Sequence, residues 1–355
     1  MKQLKRIFSS LFNNGVVMEG AKQPWYIALL IFFLSMILAT SPTYNQIANQ
    51  DGSDFLSGTL YSLDNGLQVF SETLDELGVD LVVRKTTIND EERVELANDG
   101  TAWETAFDAF VVGDSSFDYF QYSVNEDVRL RVFYQGSQTD EAATMFINEL
   151  TALPAGNASI GTFMFLARTS LYVYMYNPVA LSLGSASGSD YISGFSGTYD
   201  SVPLGTNLAA FISQDLDGNF VDPSSQLTDY QAYADRVFEN WKQFFDQSYA
   251  FSRGFLLWAQ TGLTFAVNII MSLMMSVVIF IMTRGKTNPN KSMKFGEAMK
   301  IGAWSLLTPA LLTIVAGGLF PEFAPTAFVL FVGLRLMWLS SKYLRPLDPT
   351  PVVKK

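Results

Sequence analysis

Four runs of apolar residues dominate the pattern along the chain. Trp25 to Thr40 carries no charge and ends at Ser41-Pro42. Phe255 to Thr283 is uncharged over twenty-nine residues. Ile301 to Phe320 closes on Pro321, and Phe323 to Ser341 is interrupted once, by Arg335. A bilayer core is crossed by about 17–25 apolar residues in a helix. The runs therefore predict four transmembrane helices, at 24–42, 253–283, 301–320 and 323–341. The first is short enough to be a buried helix or a cleavable leader. The two dozen residues ahead of it, with only a loose small-residue site at Ala39-Thr40-Ser41, favour a retained anchor.

Between the first two runs, residues 43–252 show short mixed periods that predict an inserted α+β domain. Leu60, Leu63, Leu67, Phe70 and Leu74 recur at helical spacing over Leu56 to Leu77. Leu81 to Val83, Ala109 to Val112, Phe117 to Val124 and Val128 to Tyr134 read as strands, the last three separated by turn-forming residues. Thr139 to Leu150 reads as a helix opened by a Thr cap and early acids. Thr162 to Tyr176 reads as a strand pair broken near Ala167 to Ser170, and the Gly- and Ser-rich 182–201 as a loop or hairpin. Thr228-Asp229 caps a helix over Thr228 to Ser252, with Tyr233, Val237, Trp241, Phe244 and Phe245 on one face. Only Gly254 separates it from the second run, so the pattern predicts one long helix, or a bent pair, linking this domain rigidly to the membrane. Leu4, Ile7, Phe8, Leu11 and Phe12 form an apolar stripe in segment 1–23. That amphipathic segment suits the inner membrane surface and the cytoplasmic ends of the bundle equally well.

Charge sets the sidedness. Lys2, Lys5, Arg6 and Lys22 precede the first span, and Arg284, Lys286, Lys291, Lys294 and Lys300 lie in loop 284–300. Lys342, Arg345, Lys354 and Lys355 lie in tail 342–355. With four spans all three groups fall on one side, which the positive-inside rule assigns to the cytoplasm. Residues 43–252 hold thirty acidic and eight basic residues, a formal charge of −22, while the remainder carries +11. That domain is expected outside the cell membrane, where its charge excludes nucleic acid as a partner. The expected fold class is thus an α-helical membrane bundle of four transmembrane helices with an inserted, acidic extracytoplasmic α+β domain.

The chain has no cysteine and no histidine. Thiolate nucleophiles, disulfides and the usual near-neutral general base are excluded by composition. No catalytic residue, cofactor or metal site is expected. Asp215-Leu216-Asp217-Gly218-Asn219 with Asp222 resembles a calcium loop, but its Gly falls one position early and Gln226 stands where a bidentate Glu belongs, so a turn is the better reading. Paired acids such as Glu91-Glu92 and Asp140-Glu141 lack the defined spacing of a carboxylate hydrolase and read as helix starts or solvated surface. Tyr172, Tyr174 and Tyr176 alternate along one strand face, as a ligand platform or as packing. Arg335 is an ionisable group inside a span. It either snorkels to the inner surface or pairs with Glu297, at the start of the third span.

The loop Lys294-Phe295-Gly296-Glu297-Ala298-Met299-Lys300 leads into Ile301-Gly302-Ala303-Trp304-Ser305-Leu306-Leu307-Thr308-Pro309. Over about residues 291–320 this resembles a family of uncharacterised multi-pass membrane proteins of low-GC Gram-positive bacteria and their wall-less relatives. Some of its members are labelled maltodextrin-utilisation proteins, and its membrane part is similar to the Yip superfamily. The resemblance implies a cell-membrane location and a link to sugar uptake, and it carries over no catalytic residue. The expected function is a non-enzymatic membrane accessory or scaffold whose outer domain binds a protein partner or senses a ligand. The alternative is an extracellular oligosaccharide-binding component of a maltodextrin importer, and a carboxylate hydrolase ranks last. The expected partners are the lipid bilayer and a membrane or extracytoplasmic protein, a sugar importer among the candidates.

Overall fold

A computed structural model describes residues 2–56, 63–88, 90–112, 115–125, 127–136, 144–148, 162–176, 191–214, 218–221, 229–284, 288–320 and 323–344. Its helices in chain order are α1 (Lys2–Ser10), α2 (Asn14–Glu19), α3 (Trp25–Ala48), α4 (Leu63–Leu77), α5 (Trp103–Ala106), α6 (Tyr230–Met282), α7 (Phe295–Ser305), α8 (Leu307–Leu319) and α9 (Ala324–Leu339). Its strands are β1 (Leu81–Ile88), β2 (Glu91–Asn98), β3 (Asp108–Val112), β4 (Ser115–Val124), β5 (Asp127–Gln135), β6 (Thr162–Ala167), β7 (Ser170–Tyr176) and β8 (Tyr191–Thr198). The chain divides into a helical unit, formed by Met1–Asn49 with Phe255–Lys355, and an acidic unit, Gln50–Gly254.

Four helices are long and apolar enough to cross a membrane: Trp25–Ala48, Tyr230–Met282, Phe295–Leu319 and Thr326–Leu344. Each covers most of one apolar run, but the ends differ from expectation. The first helix passes through Pro42 and continues to Ala48. Proline has no N–H to bond the carbonyl four residues back, here Leu38. The Ser41 hydroxyl donates to that Leu38 carbonyl at 2.9 Å, which replaces the lost hydrogen bond and lets the helix run on. The third helix starts at Phe295 rather than 301. Glu297 accepts the Lys294 N–H at 2.7 Å, the reach-back half of a capping box, so the last third of the basic loop is helical. It breaks between Ser305 and Leu307, which spares the Ser305 carbonyl a clash with the Pro309 ring four residues on.

In the helical unit, Trp304, Ile301, Met36, Ile31, Ala28 and Phe328 form one buried cluster. Val17 joins it, with Ile7 and Leu11 packed at its margin, so segment 1–23 lies against the other helices of this unit. Gly20 is required there, because a Cβ would stand 2.6 Å from the Trp304 ring. Gly302 likewise lets α7 approach Ser276 of α6.

The acidic unit holds a six-stranded sheet in the order β3-β4-β5-β6-β7-β8 and a separate β1-β2 hairpin. All pairs are antiparallel except β5 with β6. A parallel neighbour demands a crossover. Part of that crossover, the helical segment 144–148, sets Phe146 against Phe117 and Phe133, with ring centroids 4.1 and 5.3 Å away. Toward the other face, Phe70 of α4 meets Phe120 at 5.0 Å and Trp241 of α6 at 5.8 Å. Trp241 is fully buried and its indole N–H donates to Ser71 Oγ at 3.1 Å. Truncating a buried ring of this size to alanine costs about 3–5 kcal/mol.

Two expectations are corrected. Residues 91–98 are a strand, not a helix start: Glu91 and Glu92 pair across from Ile88 and Thr87 in the β1-β2 hairpin. Exposure at its start hides the apolar alternation, and burial sets in only from Glu95 to Ala97. The Gly- and Ser-rich stretch supplies β8, which pairs with β7 from Ser170↔Thr198 to Tyr176↔Tyr191. The long helix is continuous from Tyr230 to Met282, and Asp229 Oδ1 caps it by accepting the Ala232 N–H at 3.1 Å. Thr228, Asp215 and Asp217 lie outside the described residues. On either side of the latter pair, Gln214 bridges Phe220 and Gly218 has a φ of +77°. The helix expected over 139–150 is described only at 144–148.

Candidate functional site

A cleft of about 350 Å³ opens in the acidic unit, lined among others by Arg84, Glu95, Trp103, Glu104, Tyr134 and Arg168. Several elements converge on it. The β1-β2 hairpin supplies Arg84 and Glu95, α5 supplies Trp103 and Glu104, β5 supplies Tyr134, and the β6-β7 turn supplies Arg168. That turn is pinned by the Tyr199 hydroxyl, 3.1 Å from both the Ala167 and Ser170 carbonyls. The Leu96 N–H donates to the Arg168 carbonyl at 2.8 Å and ties β2 to the same turn. On the opposite rim, Asn98 accepts the Gly100 N–H and donates to the Thr101 carbonyl. Gly100 lies so close to the Gly78 carbonyl that no side chain fits there.

Glu95 is the floor, 3% exposed, and is held from both sides. Arg84 Nε reaches one carboxylate oxygen at 3.0 Å and Arg168 Nε the other at 2.6 Å. Arg84 Nη1 also pairs with Asp99 at 2.6 Å. The hydrogen bond to Glu95 is the largest influence on the Arg84 guanidinium and raises its pKa. Burial pushes the Tyr134 phenol up to about 12, so it is a neutral hydroxyl at physiological pH. Burial, followed by the Glu104 charge, also raises Asp118 above the ordinary carboxylate range. A doubly bridged carboxylate is a poor general base, because both oxygens already accept charged donors. The arrangement is suited to orienting polar groups.

No family model, curated protein or solved structure matches this chain. The resemblance over residues 291–320 therefore rests on those residues alone, and the site is read from its own geometry.

The residues singled out in the sequence lie elsewhere. Tyr172 and Tyr174 share a half-buried face of β7, packed against the cluster of Phe163, Phe165, Phe133 and Phe146. Tyr174 stacks on Phe163 at 4.9 Å and 17°. Neither lines the cleft, and the side chain of Tyr176 lies outside the described residues. Arg335 neither snorkels nor meets Glu297. It is 4% exposed, donates through Nη2 to the Ser10 carbonyl at 2.7 Å and lies 4.9 Å from the Trp338 ring. Glu297 is committed to its capping box. The unpaired carbonyls at the end of α1, which carry about half a negative charge, take the place of a carboxylate partner. The sequence reading overlooked Arg84, Glu95 and Arg168. Their signal was scarcity: a domain with thirty acids and eight bases holds few cations, and two of them meet at one buried acid.

Among the described residues no cluster of three or more acidic groups suits a metal ion. The four apolar helices are compatible with a membrane protein.

Proposed function

We propose that this chain is a non-enzymatic, multi-pass cell-membrane accessory protein. Both termini face the cytoplasm, residues 43–252 lie outside, and the outer domain senses a ligand or binds a protein partner. The observation that carries the reading is α6, one helix that contributes Trp241, Phe244 and Phe245 to the core of the acidic unit and Met275 and Ile279 to that of the helical unit. A change in the order of one end of a continuous helix is felt along it, which suits an accessory role. The basic residues gathered at one end of the apolar helices support the sidedness. The lack of cysteine and histidine and the engaged state of Glu95 support a binding role.

Two experiments test this. The chain has no native cysteine, so single cysteines at Ser116 and Ser292, both exposed, report topology in intact cells. A membrane-impermeant maleimide should label Ser116→Cys and spare Ser292→Cys; the reverse pattern overturns the orientation. Purification in several mild detergents should recover a stoichiometric membrane or extracytoplasmic protein. Recovery only as a lone monomer overturns the accessory role. Titration of the full chain with maltodextrins separates this reading from the oligosaccharide-binding alternative, which requires saturable binding.

A further inference from the structure

We propose that the cleft between the β1-β2 hairpin, α5 and the β6-β7 turn binds a small zwitterion of the α-amino-acid class, its carboxylate on Arg168 and its ammonium on Glu104. This rests on the reading of the acidic unit as a sensor and names the ligand class.

The argument starts from which groups are already used. Arg168 spends its Nε on Glu95, and no hydrogen bond engages its two terminal amino groups among the described residues. Its side chain is 36% exposed, so those donors reach the cleft. A guanidinium held at Nε presents its remaining edge in a fixed plane, which suits a carboxylate. Glu104 lines the same cleft, is exposed and makes no ion pair among the described residues. The Trp103 indole N–H donates to the Asp118 carbonyl at 3.1 Å, which holds α5, and Glu104 with it, beside β4. The mutual repulsion of Glu104 and Asp118 marks this end as electron-rich. One cleft therefore presents unengaged donors of positive charge and an unengaged carboxylate.

Other ligand classes fit less well. A dianion would face Glu104 within a domain of charge −22 as read from the sequence. A simple amine would face Arg84 and Arg168. A sugar is gripped by an accessible aromatic face, and Trp103 and Tyr134 are 1% and 8% exposed. A volume near 350 Å³ lies at the small end of ligand clefts, which run from about 300 to 1,000 Å³. A molecule carrying both charges satisfies both ends, with each charge-assisted bond contributing to affinity.

The test uses the full chain in detergent. Calorimetric titration and thermal melting with individual L-amino acids are compared with carboxylic acids lacking the amine, amines lacking the carboxylate, and maltotriose. One or more amino acids should bind saturably, and compounds lacking either charge should bind at least about tenfold more weakly. Glu104→Gln, an exposed change that leaves the packing intact, should weaken amino-acid binding by about tenfold and leave the amine-free acids unchanged. Arg168→Gln should weaken both. Failure of every amino acid to bind, equal binding of the amine-free acids, or indifference to Glu104→Gln overturns the assignment. If partner recovery persists while amino acids fail, the ligand class falls and the accessory reading stands. If amino acids bind but no partner is recovered, the accessory reading falls and the cleft assignment stands.

Discussion

In the helical unit, several long-range side-chain donors end on backbone carbonyls. Arg335 reaches the Ser10 carbonyl, Thr308 the Leu11 carbonyl at 2.9 Å, Lys300 the Gln23 carbonyl at 2.8 Å, and Asn288 the Leu344 carbonyl at 2.6 Å. In the acidic unit they divide: Trp103, Tyr199 and Asn240 reach carbonyls, while other donors end on side chains. Glu95 lies between two arginines, Arg131 donates to Gln121 at 3.0 and 2.9 Å, and the Tyr233 hydroxyl meets Glu72 at 2.9 Å. The difference follows from what each unit leaves unpaired. Each helix leaves four carbonyls unpaired at its C-terminal end, and few polar side chains are nearby to satisfy them. A mixed α+β unit pairs its backbone in ladders, so its surplus is carboxylate, and its few bases are drawn to it. The same residue type thus has two jobs: Arg335 closes a helix end, while Arg84 and Arg168 neutralise a buried acid.

The largest test of that contrast is in the acidic unit. Replacing both Arg84 and Arg168 by alanine strands Glu95 at 3% exposure. A buried ion deprived of its partners costs about 3–5 kcal/mol. Replacing Glu95 by alanine instead leaves two guanidiniums that are 49% and 36% exposed and can be hydrated. That loss should be only about 1–2 kcal/mol. Hydrogen exchange across 81–98 should show the double arginine variant opening far more than Glu95→Ala. Equal losses would mean that the triad is a surface pair in disguise.

A smaller effect is expected at the matching site of the helical unit. Arg335→Leu removes the charged donor from the end of α1 but keeps the apolar volume. One charge-assisted bond is worth about 1.5–3 kcal/mol. Because Ile7, Leu11 and Val17 still pack against the cluster, the helices should stay folded while segment 2–12 loosens. Faster exchange confined to that segment checks this. Unfolding of α8 or α9 would show that Arg335 supports the whole unit.

The two units also differed in how well the sequence announced them. Four apolar runs located four long helices because composition alone decides that question. Their ends were misplaced where a single side chain reversed a local rule, as Ser41 does for Pro42 and Glu297 for the basic loop. In the acidic unit β3 to β7 followed the alternation of apolar residues, whereas β2 did not, since its first residues face water on both sides. The cleft was not legible. Arg84, Glu95, Glu104, Tyr134 and Arg168 span more than eighty positions, and no local spacing signals a meeting made by three different turns. The tyrosine alternation was legible as a strand face, but burial, which a period of two does not reveal, turned that face into packing.

The smallest effect concerns the acidic end of the cleft. The folded-state pKa of Asp118 is raised from the ordinary 3.8, first by burial and then by Glu104. A carboxyl group that holds its proton more tightly when folded favours folding at low pH. That contribution is complete below pH 3.8 and is lost as the pH rises through the folded value. At neutral pH, Asp118→Asn should therefore stabilise the acidic unit, the opposite of what removing a paired acid would do. Asp118 is half-buried and still touched by solvent, so screening holds the gain to no more than about 0.5 kcal/mol. Melting curves from pH 3.5 to 7.5 should show the variant and parent converging at the acid end and separating toward neutrality, with the gap narrowing in high salt. Bound amino acid should narrow it too, because an ammonium seated on Glu104 screens the charge that Asp118 feels. A gap that widens toward low pH would reverse the sign and make Asp118 a paired acid like Glu95.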